Sequence, residues 1–288
     1  MTKFDIAPAK YFPVTTKPLT MKSGLNDFGT DFGNGNQDSQ YFQMDKQAAA
    51  YRQVKEDVEA GRHWASCNNE TQKELHSKAL SWIIDKQEIE LGIKPKEEHL
   101  AAIDSIDNLE QVYNELSLNV QEDIALLSDK PSALIVGNVS MPSFWDPKRI
   151  KNADFWEIHE PVPSFPKNER ISNNLGSLIS SKGPYVRFVW TVANDDRLDH
   201  HPDKGRTTWQ EDQNLWLRLE RQVTIPFDGL GALFLIRTYI YPIEELTKEQ
   251  HETLLLAVQN MPEEIAKYKG LWNGRDVIFK ELNKLIFT

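Results

Sequence analysis

The order of elements along this 288-residue chain predicts an α+β fold. Helical spacing dominates residues 44–128, and strand-like apolar runs dominate residues 132–242. The turn FDGLG at 227–231 joins the last two runs as an antiparallel hairpin. A helical stretch over 246–288 completes a single α+β domain spanning 44–288, and an irregular segment, 1–43, precedes it.

Each element has its own warrant. Residues 1–43 include LNDFGTDFGNGNQDSQYF, rich in Gly, Asn and Asp, whose Phe28, Phe32 and Tyr41 are expected to pack over the body. GNGN at 33–36 precedes no strand–helix pattern and lacks the Lys-Ser/Thr of a phosphate loop, so it reads as a turn. MDKQAAAYRQVKEDVEAG has apolar or alanine positions at helical spacing and stops at Gly61. ETQKELHSKALSWIIDKQEIELG repeats the pattern, with Leu75, Leu80, Ile83 and Ile84 inward and Gly92 as the stop. SIDNLEQVYNELSLNVQEDIALLS reads as a further helix or a broken pair.

Beyond Pro131 the strand candidates are ALIVGNVS (133–140), PYVRFVWTVA (184–193), LWLRLERQVTIP (215–226) and GALFLIRTYIYP (231–242). In the third, Leu215, Leu217, Leu219 and Arg221 alternate with Trp216, Arg218, Glu220 and Gln222, which makes a two-faced strand. LTKEQHETLLLAVQNM then begins with a Thr247–Gln250 capping box.

Composition excludes several functions. Hydrophobic residues at 40% can fill a sizeable core, while a net charge of −10 argues against a nucleic-acid partner, which needs a basic surface. No apolar run approaches the ~20 residues of a membrane helix. MTKFDIAPAKYFPV lacks the apolar centre of a secretory signal, so the expectation is a soluble cytoplasmic chain. The single cysteine, Cys67, cannot form an internal disulfide or a multi-thiolate metal site. Metal or redox chemistry therefore falls to His, Asp, Glu, Tyr or an organic cofactor. GxGxxG, Walker, GxSxG and HExxH motifs are missing, which disfavours Rossmann, P-loop, serine-esterase and zincin chemistry.

Three constellations remain. In FWEIHEPVP (155–163), Pro161 and Pro163 fix φ and remove donors, so a stiff, extended connector is expected to aim His159 in one direction. An axial metal ligand or a general base requires such aim; a structural histidine shows it too. The loop ANDDRLDHHPDKG (193–205) carries Asp195, Asp196, Asp199, His200, His201 and Asp203, enough ligands for a metal, or an ordinary surface loop able to reach over a site. Arg187, Arg218, Arg221 and Arg237 lie in otherwise apolar strands, where a charge is costly unless paired. Glu220 can pair with Arg187 or Arg237 internally, one or two guanidiniums can stay free for a carboxylate or phosphate, and both can hold together, with one arginine satisfied by Glu220 while another faces a ligand.

Taken together, QEDIALL (121–127), MPSFWDPKR (141–149), IHEPVP (158–163), YVRFVW (185–190), LRLERQVTIP (217–226), FLIRTYIYPI (234–243) and KYKGL (267–271) resemble the α-subunit-like family of haem-dependent oxidative N-demethylases. The match spans about 120–271, with Val189 where the family pattern often has Asn. The resemblance implies a PAS-like antiparallel sheet enclosing haem b, with His159 as the iron ligand and Glu157 or Glu160 orienting its ring. It implies that Arg187, Arg218, Arg221 and Arg237 meet the propionates and that Glu220 and Tyr239 hold the substrate. O2 would serve to oxidise an N-methyl group of a small amine, with electrons from NADPH reaching the chain through separate flavin and ferredoxin-type reductase subunits, and folate able to trap formaldehyde. The competing readings are a haem-binding PAS sensor or non-catalytic ligand-binding subunit, and non-haem metal hydrolysis at 196–203.

Overall fold

The computed structural model describes residues 4–16, 24–163, 165 and 169–287. Its strands are β1 (Asn26–Asp27), β2 (Trp64–Ala65), β3 (Asp123–Asp129), β4 (Ser132–Asn138), β5 (Tyr185–Ala193), β6 (Trp216–Pro226) and β7 (Gly231–Pro242). They form one sheet in the order β1-β5-β6-β7-β3-β4-β2, with every neighbouring pair antiparallel. The described helices are α1 (Ala48–Glu56), α2 (Glu70–Lys86), α3 (Glu97–Ser105), α4 (Leu109–Ser117), α5 (Phe155–His159), α6 (Glu169–Ser181), α7 (Lys248–Gln259), α8 (Glu263–Tyr268) and α9 (Arg275–Phe287). The fold is α+β, with an antiparallel sheet at its centre.

Three expectations change. Residues 123–128 are not helical: β3 lies between β4 and β7 and is buried on both faces, so its apolar run has no helical period to show. Of the stretch 246–288, the described residues to 287 form three α-helices, because Pro262 follows α7 and Gly270, with φ +75°, follows α8, and each interrupts the helical run. FWEIH is a helical turn, not an extended connector. Asp154 accepts the Glu157 amide at 2.7 Å and Glu157 returns the bond to the Asp154 amide at 2.9 Å, a capping box strong enough to fix α5 ahead of Pro161.

Period-2 alternation gives the sheet two unlike faces. On the first, Ile124, Leu126, Val223 and Leu235 meet α2 and α4 through Leu75, Leu80, Ile83 and Leu116. Further along the same face, Leu217, Leu219, Tyr239 and Tyr241 meet α7 and α9 through Leu254, Val258, Ile278 and Leu282. Burying each such Leu or Ile stabilises the fold by about 1.5–3 kcal/mol. Between the two clusters Arg221 and Arg237 sit opposite each other in register, and residues 40–45 cross over them.

The second face is only partly covered. Phe155, Phe165 and Ile179 pack on Ala125, Leu127 and Ala232, which seats α5 and α6 over the β3–β7 end. Elsewhere on this face Arg187 and Val189, on the outer strand β5, and Gln222, Phe234, Ile236 and Ile240, on the interior strands β6 and β7, keep partial exposure. No described helix is long and apolar enough to cross a membrane.

Candidate functional site

His159 is the last residue of α5, and its ring is fixed from three sides. Nδ1 donates to the Phe155 carbonyl at 2.8 Å; a carbonyl only accepts, so the proton resides on Nδ1 and Nε2 keeps its lone pair. Phe155 and Phe165 flank the imidazole with ring centroids 4.3 Å and 5.0 Å away. Among the described residues Nε2 has no partner. Burial pushes the His159 pKa down to about 4, the Phe155 carbonyl opposes this, and the nearby Arg187 charge adds to it. The ring is therefore neutral at pH 7. The backbone of Phe155 does the orienting expected of Glu157 or Glu160, and Glu157 is committed to the helix cap.

The four strand arginines separate by face and by partner. Arg237 is fully buried on the first face, donates to Asp45 at 2.8 Å and to the Thr238 carbonyl at 2.7 Å, and stacks on Tyr51 and Tyr239. Arg221, beside it, donates to the Gln40 carbonyl at 2.9 Å. Arg218, on the second face, donates to Ser143 Oγ at 3.0 Å and to the carbonyls of Met141, Arg197 and Leu198, tying together the loops around 142 and 198. Arg187 alone of the four finds no hydrogen-bond or ion-pair partner among the described residues. The expected pairing of Glu220 with Arg237 does not form, because the two side chains project from opposite faces.

Glu220 shares the second face with Arg187 and Gln222. Ser143 Oγ donates to its Oε1 at 2.5 Å and Gln222 Nε2 to its Oε2 at 2.8 Å. Lys269, from the turn after α8, donates to the Trp190 carbonyl at 2.6 Å on the free edge of β5. Burial draws the Lys269 pKa down to about 8, with Glu220 opposing and Arg187 reinforcing that shift. Arg187 and Glu220 on this face and Lys269 at the β5 edge therefore act on one another's charge, and the Arg187 charge also reaches the buried, neutral His159 ring. Tyr239 is not among them. It lies across the sheet from Glu220, with its hydroxyl bonded to Gln43.

The Asp/His loop is consumed by its own bonds. Asp195 accepts from His200 at 2.8 Å and from Arg197, Asp199 takes both amino groups of Arg62 at 2.6 and 2.8 Å, and His201 lies 3.3 Å from Asp146. Among the described residues the group compact enough to share a metal ion is instead Glu98, His99 and Glu115, and there the Lys96 ammonium already lies 2.6 Å from Glu115 and 3.2 Å from Glu98.

Sequence reasoning does not single out Ser143, Phe165 or Lys269 as site residues. Ser143 and Lys269 lie in MPSFWDPKR and KYKGL, segments conspicuous in the sequence, but their roles depend on contacts 77 residues away in the chain for Ser143–Glu220 and 79 for Lys269–Trp190. Local pattern carries no trace of such contacts.

Comparison with curated proteins gives no match. Among protein families, residues 85–279 match the one described as haem-dependent oxidative N-demethylase, alpha subunit-like. That stretch covers most of the chain and contains β3 to β7, α5 and every group of the second-face site. The chain belongs to the haem-dependent oxidative N-demethylase, alpha subunit-like family.

Proposed function

We propose that this chain is the haem-b-binding, O2-using subunit of an oxidative N-demethylase, with His159 Nε2 as the iron ligand. The observation that carries the reading is the state of that imidazole: neutral, with Nδ1–H held by a backbone carbonyl, Nε2 unpartnered, and the plane set by two phenyl rings. A haem-ligating histidine needs that arrangement, since the bond at Nδ1 fixes both tautomer and ring orientation. The partly open apolar residues Phe234, Ile236 and Ile240 supply a dry wall on the same face as Arg187 and Glu220. The sheet supports a PAS-like reading as well: its five long strands, numbered along the chain, lie in the order 2-1-5-4-3, with α5 and α6 between the second and third.

Haem held there supplies O2 activation, with electrons from a separate flavin or ferredoxin-type reductase, so that an N-methyl group leaves as formaldehyde. The chain's own residues do the rest. His159 anchors the iron, the apolar wall excludes water, and Glu220 holds the amine, its carboxylate aimed by Ser143 and Gln222. Arg218 acts behind Ser143 and positions it. Of the four arginines expected to meet a carboxylate, Arg187 is the one on this face with no hydrogen-bond partner among the described residues; Arg221 also keeps an unpartnered Nη1, but it is buried on the opposite face.

The test is an absorption spectrum of the purified protein with stoichiometric haem. A Soret band is expected in the wild type and lost in His159→Ala, with the far-UV circular dichroism unchanged. A normal Soret band in His159→Ala refutes the ligand assignment. Formaldehyde release from a small N-methylated amine, tested with dimethylamine and with N-methylglycine in the presence of O2 and a reductant, separates an oxygenase from a haem-binding sensor, which would show the band and release none from either.

A further inference from the structure

Arg187 is half-buried and, among the described residues, its five donors are unmatched, an arrangement that costs stability and that folding alone does not require. In the β5–β6 ladder Arg187 faces Gln222, and Glu220 is the next residue of β6 on the same side. The two charges are diagonal neighbours, and yet they form no ion pair with each other. Arg187 keeps part of its surface open on that face, and Glu220 lies buried beside it with its oxygens held by Ser143 and Gln222. Lys269, bonded to the carbonyl of Trp190 on β5, brings a second cation to this place.

With Arg218 and Asp123 of the same face included, three cations stand against two carboxylates, which leaves the site with an excess of positive charge. A simple dialkylammonium ion would add to that excess. We infer that the substrate is an N-methylated amino acid, its carboxylate held by Arg187 and its amine by Glu220. A guanidinium offers a carboxylate two parallel hydrogen bonds, and a carboxylate neighbour suits the amine of the same molecule. A haem propionate on Arg187 would satisfy the guanidinium but set a second carboxylate beside Glu220, with no ammonium between them. The inference rests on the haem reading only for what happens to the methyl group; recognition of the zwitterion needs Arg187 and Glu220 alone.

The experiment is a calorimetric titration of the purified, haem-loaded protein with N-methylglycine and, separately, with dimethylamine. N-methylglycine is expected to bind about tenfold or more tightly than dimethylamine. Arg187→Met is expected to bring the two ligands to within about twofold while the Soret absorbance per chain is kept, and Arg187→Lys to retain part of the preference. Because Arg187 holds no other described residue in place, both variants should fold, which far-UV circular dichroism checks. Glu220→Gln should weaken both ligands. Equal binding of the two amines, or no saturable binding of N-methylglycine, overturns the inference. Loss of haem in Arg187→Met with the ligand preference intact assigns the guanidinium to a propionate and also overturns it. A missing Soret band in the wild type would instead refute the haem reading, and the titration would still report on the zwitterion.

Discussion

Exchanging Arg237 for methionine removes a guanidinium that has no solvent access and strands Asp45, itself 1% exposed and 2.8 Å away. The loss is not that of a surface ion pair. Asp45 would keep its bond from Gln121 at 3.2 Å but would carry a charge in the interior with no cation beside it, and Tyr51 and Tyr239 would lose the cation they stack on. Breaking a buried pair by removing one partner costs about 3–5 kcal/mol. At roughly 2–4 °C per kcal/mol for a chain of this size, the melting temperature should fall by about 6–20 °C. The same exchange at Arg187 strands nothing, and relieves an unmatched charge, so its melting temperature should hold or rise by a few degrees at about that same ratio. Thermal melts of both variants by circular dichroism, at one pH and one salt concentration, decide the matter. Equal destabilisation would mean that Arg187 has a structural partner, and the reasoning about a free guanidinium would fail.

Other outcomes follow from single contacts. Burial and the Lys55 charge push His63 down to about 4, although Asn114 and Ser140 bond its ring. Its folded pKa is below the unfolded value, so its contribution is complete above about pH 6.5 and lost as pH falls toward 4, about 3 kcal/mol in all. Urea melts at pH 7.5 and 4.5 should show that loss in the wild type and less of it in His63→Asn; an unchanged difference would refute the sign. Ser143→Ala removes a bond from Glu220 and leaves Arg218 Nε without its acceptor, so a loss of about 1–3 kcal/mol is expected in the melt, together with weaker amine binding. Unaltered binding would mean that Ser143 does not aim Glu220. Thr247→Ala removes the cap on α7, where Oγ1 accepts the Gln250 amide at 3.3 Å, and should cost about 1 kcal/mol with no change in haem content.

Much of the frame is readable in the residues. β5, β6 and β7 lie within a residue of the expected spans because their alternation is strict, and the α7 capping box is a local signal that the structure reproduces. The face carrying Arg218, Glu220 and Gln222 is readable for the same reason. β3 is not, since a strand buried on both sides has no alternation to display. Nor is the α5 helix, where prolines at 161 and 163 suggest extension and the short-range bonds of Asp154 and Glu157 prevail. Which arginine stays unpartnered depends on where residues 40–45 and the loops near 142 and 198 come to rest. That is a matter of long-range packing, and a single sequence offers no direct view of it.

The crossing of Arg221 and Arg237 by residues 40–45 changes what the start of this chain is for. Gln40 and Gln43 lend carbonyl oxygens and Asp45 a full negative charge to two cations that face each other across neighbouring strands. Trimming the protein just ahead of α1 would strip acceptors from both guanidiniums and bare an electropositive seam through the midst of the hydrophobic layer. The leading segment works as an internal counter-ion, and an N-terminal deletion there should behave like a core mutation rather than like the removal of a tail.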